Sequence, residues 1–213
     1  MRKRQNGGYT LVEMMVSIAV FAIASLAISS IVVCAIRYSG LSYREEALLR
    51  ETMTFERVLD AALENASEMK AYHLENKELK TISSGSLELQ QNVPLMVVFP
   101  QKGATGEAGE EIVNPEKFVL IFLKTGADTP TKAWYYVEDQ ELTGWQGLED
   151  TDVQEKLNAL PLLSEDIVSL KITYTTEETS KILEFEMDLR KGNVEKTLHR
   201  YWDIGTIKTA QSE

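Results

Sequence analysis

The chain has 213 residues, 44% of them hydrophobic and 26% charged, with a formal net charge of −11. These averages exclude a wholly disordered chain and a polytopic membrane protein. The acidic balance also argues against nonspecific nucleic-acid binding by the bulk surface, since neutralising phosphates takes Lys and Arg, and only a local basic patch on the folded surface would carry such a contact. The single cysteine, Cys34, excludes an intrachain disulfide framework and a cysteine-based zinc site.

The charge is unevenly placed. Residues 1–36 hold four charged side chains, Arg2, Lys3, Arg4 and Glu13, and residues 37–213 carry the other 51 of the 55. From Met14 to Ile36 run 23 residues with no charge, no Gly and no Pro, enough to span a hydrocarbon core of about 30 Å at about 1.5 Å per helical residue. A basic head, an apolar span and a hydrophilic remainder together describe a membrane-anchored protein.

A removable secretory signal has an apolar stretch of roughly 7–15 residues, and this one is longer. A lipoprotein signal would use Cys34, but Val33 stands where a small residue is needed. A plain signal anchor fits length and charge, yet explains neither the polar turn after the basic head nor Glu13. An ionised carboxylate costs about 2.5–3.5 kcal/mol or more at mid-bilayer; at the edge of the span the cost is smaller and snorkelling relieves it.

The context of that carboxylate is Gly7-Gly8-Tyr9-Thr10-Leu11-Val12-Glu13-Met14. This run resembles the class III signal of type IV pilins and pseudopilins: a short basic leader ending in Gly, an aromatic first mature residue, and Glu at the fifth mature position. The resemblance covers about 20 residues, GGYTLVEMMVSIAVFAIASL. It implies that a prepilin peptidase cuts between Gly8 and Tyr9 on the cytoplasmic side, and that Tyr9, where the family usually has Phe, becomes the N-methylated terminus. It further implies that Glu13 acts in assembly, pairing with the amino terminus of a neighbouring subunit. Physically, a carboxylate in an apolar bundle is penalised alone and compensated beside an ammonium, so such a pair would select one axial stagger between neighbours. Positive charge on the two sides of the span is nearly balanced; the resemblance places residues 37–213 outside the cytoplasm.

The helical pattern continues past the span. Leu41, Leu48, Phe55, Ala62 and Met69 recur every seven residues, flanked by Val58, Leu59, Leu63 and Ala66. Glu46 and Arg50 form an i,i+4 pair on the polar side. This predicts one helix from about Tyr9 to about Met69, whose outer half packs on a globular sheet; a coiled-coil dimer through residues 41–69 is the alternative. Gly40 is either a joint at the membrane surface or a tolerated helix glycine. The span lacks the mid-helix Pro of many larger pilins, which leans toward a minor subunit.

Beyond about residue 80 the period becomes two. Val168–Tyr174 and Leu183–Leu189 alternate apolar and polar residues, and Lys191-Gly192-Asn193 leads into Val194–Trp202, which predicts an antiparallel meander. Leu95–Phe99, Phe118–Leu123 and Ala133–Glu138 read as further strands, the second covered on both faces. Asp152–Leu160 reads as a short helix stopped by Pro161. The predicted class is α+β, a long N-terminal helix packed on an antiparallel sheet, similar in layout to J-type or W-type minor subunits. The expected divisions are a leader at 1–8, a membrane and assembly helix at 9–36, its amphipathic continuation at 37–72, and a sheet domain at 73–213.

No catalytic or cofactor constellation is found. Gly103–Gly109 lacks the Gly-Lys-Ser/Thr of a phosphate cradle. His73 and His199 are isolated, and Glu184, Glu186 and Asp188 read as a solvated strand face, so no metal is expected. Trp134, Tyr135, Tyr136 and Trp145 are either a contact surface or core and rim packing. The leading expectation is a structural subunit of a type IV pilus, type II secretion or competence filament, and not an enzyme. Its partners would be the prepilin peptidase, other pilin or pseudopilin subunits, the membrane assembly platform and the lipid bilayer, with its outer domain on an envelope filament. The alternative is a non-polymerising membrane-anchored extracytoplasmic binding module.

Overall fold

The computed structural model describes residues 10–64, 66, 68–82, 85–101, 116–139, 142–176 and 181–203. The chain divides into two units, Met1–Glu45 and Glu46–Glu213. One helix, α1 (Leu11–Glu64), contributes residues to each.

In the first unit, Leu11, Phe21, Leu26 and Ile31 of α1 are largely exposed. Ser17, Ser29 and Ser30 turn their hydroxyls back onto the carbonyls of Glu13, Ser25 and Ala27, each at 2.8 Å. These three hydroxyls are thereby satisfied inside the helix, which is what a hydrocarbon surround requires. The segment is long and apolar enough to cross a membrane.

In the second unit, α1 turns one stripe inward. Leu48, Thr52, Phe55, Leu59, Ala62 and Leu63 are buried, at the i, i+3, i+4, i+7 spacing of a helix lying on a core. The buried hydroxyl of Thr52 donates to the Leu48 carbonyl at 2.8 Å. From Leu48 onward, the face read as a possible coiled-coil seam is therefore covered by the chain's own sheet.

The helix ends at Glu64, short of the predicted Met69, and residues assigned to its continuation up to 72 belong partly to the sheet. The reason is a contact from far along the chain. Extension would need the Ala66 amide on the Ala62 carbonyl. Instead, Gln101 Nε2 donates to that carbonyl at 3.0 Å, and the Ala66 amide tightens onto Leu63 O at 3.2 Å. Ala66 forms an antiparallel bridge to Gln101. Ala66 and Met69 keep their predicted burial without being helical.

The strands are β1 (Lys70–Glu75), β2 (Glu78–Ile82), β3 (Gly85–Leu87), β4 (Leu95–Pro100), β5 (Lys117–Lys124), β6 (Thr131–Glu138), β7 (Leu162–Thr176), β8 (Lys181–Lys191) and β9 (Val194–Asp203). They form one antiparallel sheet in the order β2-β1-β4-β5-β6-β7-β8-β9, with β3 paired to β7. β1, β2 and β3 are absent from the sequence reading. The β1–β2 turn uses Asn76 and Lys77 at φ 52° and 68°, the left-handed pair of a tight hairpin turn, without the usual Gly. The β8–β9 turn places Gly192 at φ 66°, as Lys191-Gly192-Asn193 predicts.

The sheet is covered on both faces along its middle strands. On the α1 side, Phe55, Phe122 and Phe185 meet with ring centroids 5.3–6.3 Å apart, the spacing at which tilted aromatic pairs attract. On the other side, a 3₁₀ turn (Leu142–Trp145) and α2 (Asp150–Asn158) bring Leu142, Trp145, Val153 and Leu157 onto Met96, Val98, Val119, Ile121 and Trp134. This two-sided cover is why Val119-Leu-Ile-Phe-Leu123 is apolar without alternation. Asp150 and Asp152 lie in the first turn of α2 and Lys156 in its last, as the helix dipole favours.

Candidate functional site

Among the residues expected to carry function, Glu13 lies within the described structure, in the first turn of α1; Gly8 and Tyr9 lie outside the described residues. The Thr10 amide donates to Glu13 Oε2 at 2.8 Å and the Thr10 hydroxyl to the same oxygen at 3.1 Å, while the Glu13 amide donates to Thr10 Oγ1 at 3.2 Å. These reciprocal bonds form a capping box, which satisfies two of the amides a helix start leaves open. The Ser/Thr-x-x-Glu spacing that encodes it stands in Thr10-Leu11-Val12-Glu13 and was the signal available for it. Among the described residues no cation pairs with Glu13. Its Oε2 is engaged by its own helix end.

A second group of polar contacts, unforeseen from sequence, ties the outer part of α1 to the sheet. Lys191 Nζ lies 3.2 Å from Glu51 Oε1 and 2.7 Å from Asp166 Oδ2, and Ser164 Oγ donates to Glu51 Oε2 at 2.9 Å. The bond to Asp166, with help from Glu51, pushes the Lys191 ammonium above the usual lysine range. Farther along, Arg200 Nε and Nη2 both donate to Glu56 Oε1, at 3.0 and 2.7 Å, and Trp202 Nε1 donates to Asp60 Oδ1 at 3.2 Å. Four helical residues advance about 6 Å and two strand residues about 6.6 Å, so Glu56 and Asp60 fall in step with Arg200 and Trp202.

The remaining candidates have structural partners. Trp134 and Trp145 are buried; Trp145 Nε1 donates to Tyr136 OH at 2.8 Å, and Lys156 Nζ sits 4.2 Å over the Trp145 ring. These aromatics are core packing. Burial is the main cause that raises the Tyr136 phenol far above its ordinary value. On the strand face, Asp188 accepts from Ser169 at 2.5 Å and Thr197 at 2.7 Å, which holds its carboxyl below the usual range. His199 Nε2 lies 3.1 Å from Glu184 Oε1 and is the main cause that lowers Glu184. His73 Nε2 lies 3.2 Å from the Glu88 carbonyl. Among the described residues no three His, Cys, Asp or Glu side chains gather as a metal site. The Gly103–Gly109 loop lies outside the described residues.

The comparisons with known proteins point to the same end of the chain. Residues 3–33 match a family model described as the prokaryotic N-terminal methylation motif. No curated protein and no solved structure matches the chain.

Proposed function

We propose, from the match of residues 3–33 to the prokaryotic N-terminal methylation motif, that the chain carries the class III prepilin signal of the type IV pilin and pseudopilin superfamily and is a minor pilin or pseudopilin of an envelope filament. The observation that carries the proposal is the methylation-motif match over residues 3–33, in which Glu13 falls in the first turn of a helix with an exposed apolar surface. Prepilin peptidase cleaves after Gly8, Tyr9 becomes the methylated N-terminus, and the apolar part of α1 leaves lipid for a bundle of like helices. There Glu13 exchanges its engagement with Thr10 for the terminal ammonium of a neighbour. Such an exchange replaces neutral donors with a charged one in a low-dielectric bundle, where it fixes stagger between subunits. The second unit stays on the extracytoplasmic side. A pilus, a secretion filament and a competence filament would all use these parts in the same way.

The test is intact-mass spectrometry of the chain from membranes, together with its recovery in sheared filaments. The expected mass corresponds to an N-methylated chain beginning at Tyr9, and Gly8→Ala should leave the leader attached. A full-length chain in the wild type, or a processed chain never found with filaments, would overturn the reading.

A further inference from the structure

The sheet has two edges, and neither has a strand partner among the described residues. β9 is ten residues long and pairs with β8 without a register break from Ile182↔Asp203 to Lys191↔Val194. It has no Pro and no bulge, two of the devices that blunt a long edge, and its charges at Lys196 and Arg200 restrict which strand can pair with it. β2, at the other edge, has five residues, Glu78–Ile82. From β2 to β9 the path is eight strands with every step antiparallel, so β2 runs opposite to β9. A second copy set beside the first, with its helix-covered face on the same side, therefore offers β2 to β9 in antiparallel orientation.

The side chains restrict how the two can meet. Ile82 of β2 and Leu198 and Trp202 of β9 pack on the α1 side, whereas Leu79 packs on the opposite side. Glu78 and Lys80 share the α1 side with Ile82, and Lys196 and Arg200 share it with Leu198, because strand side chains alternate. Opposing residues must lie on one face, so even numbers face even numbers. Three such registers keep all of β2 on β9. One sets Lys80 opposite Lys196 and another sets Lys80 opposite Arg200, both like-charged. The third sets Glu78 opposite Arg200, Lys80 opposite Leu198 and Thr81 opposite Thr197. Opposite charges across strands attract and like charges repel.

We propose that β9 of one copy pairs with β2 of a second copy in this third register. The contact joins two different patches, so it is heterologous and does not close on itself, which is the interface geometry of an open-ended assembly. It rests on the filament reading and supplies a contact between the outer units of neighbouring subunits that the membrane helix does not.

The experiment places Thr81→Cys and Thr197→Cys together in a Cys34→Ser background and applies a mild oxidant to cells. Both threonines are exposed, and opposed residues of antiparallel strands lie within the Cα separation a disulfide needs. The expected result is a ladder of dimers, trimers and longer species in the double variant, which is lost in either single variant. As a second measurement, Glu78→Lys should leave the chain processed and stable but lower its recovery in filaments. Filaments that contain the double variant without a ladder would overturn this pairing and leave the filament reading standing. A chain absent from filaments would overturn that reading, and absence of a ladder in membranes too would then reject the strand pairing separately.

Discussion

Glu56 and Arg200 stand 144 residues apart, yet two donors of the Arg200 guanidinium converge on one oxygen of the Glu56 carboxylate, at 3.0 and 2.7 Å. Arg200 is 55% exposed and Glu56 27%, so the pair belongs with surface salt bridges, worth about 0.2–1 kcal/mol. Arg200→Ala should destabilise the protein by about that amount, and a double-mutant cycle with Glu56→Ala should give a coupling of about 0.5 kcal/mol in denaturant titrations. Strictly additive single variants would show that the bond contributes nothing.

The aromatic contact beneath that pair has a larger effect. Phe55 and Phe185 are buried with rings 5.3 Å apart. Phe55→Ala should cost about 3–5 kcal/mol, the usual loss for a buried phenylalanine. Steady-state abundance in membranes would fall with it, whereas Phe21→Ala, in the exposed span, should leave denaturation of the outer unit unchanged.

Acid and base should act on different contacts. Asp188 is lowered by the Ser169 and Thr197 hydroxyls, so its contribution is present above an unfolded value of about 3.9 and is lost as pH falls through its lower folded value. Lys191 is raised by Asp166 and Glu51, so its contribution is complete below about pH 10.4 and is lost as pH rises through its higher folded value. Thr197→Val should therefore reduce stability at neutral pH and lose its effect in strong acid. Lys191→Met should reduce stability at neutral pH and lose its effect in strong base. Denaturation midpoints across pH would check both signs.

The capping box separates two roles of the helix start. Thr10→Val removes the hydroxyl that bonds the Glu13 amide and carboxylate, at a cost of about 1 kcal/mol; Thr10→Ser keeps it. Amides of Leu11 to Glu13 should exchange faster with solvent in Thr10→Val, while membrane insertion stays intact. Equal exchange in the valine and serine variants would show that the hydroxyl does not hold the helix start.

The parts legible in the sequence were those set by local period or local chemistry. Leu170–Tyr174 and Leu183–Leu189 alternate because α1 covers only one face of β7 and β8; Val168, expected on that face, is exposed because the register shift between Ile167 and Ser169 buries Ile167 in its place. Phe118–Leu123 does not alternate because Trp145 and Leu157 close the second face of β5. β1 escaped because Lys70-Ala-Tyr-His-Leu-Glu75 lacks β-branched residues and its turn, Asn76-Lys77, lacks Gly. The end of α1 escaped because Gln101, 39 residues beyond Ala62, supplies the competing donor. The Glu51, Glu56 and Asp60 contacts depend on which helical row packing sets against β8 and β9, and no local pattern encodes that choice. The Thr10–Glu13 box is encoded locally, in the Thr-x-x-Glu spacing.

Glu56 bonds Arg200 and Asp60 bonds Trp202, with residue numbers rising together on helix and strand, so the helix after Glu46 and β9 run in the same direction. A force applied along that stretch of helix would load these two bonds, the Lys191 clasp and the Phe55 contact together, in shear. Contacts arranged side by side share tension, whereas a helix peeled from its end would break them one after another. The sheet therefore grips its helix in an orientation that resists axial load.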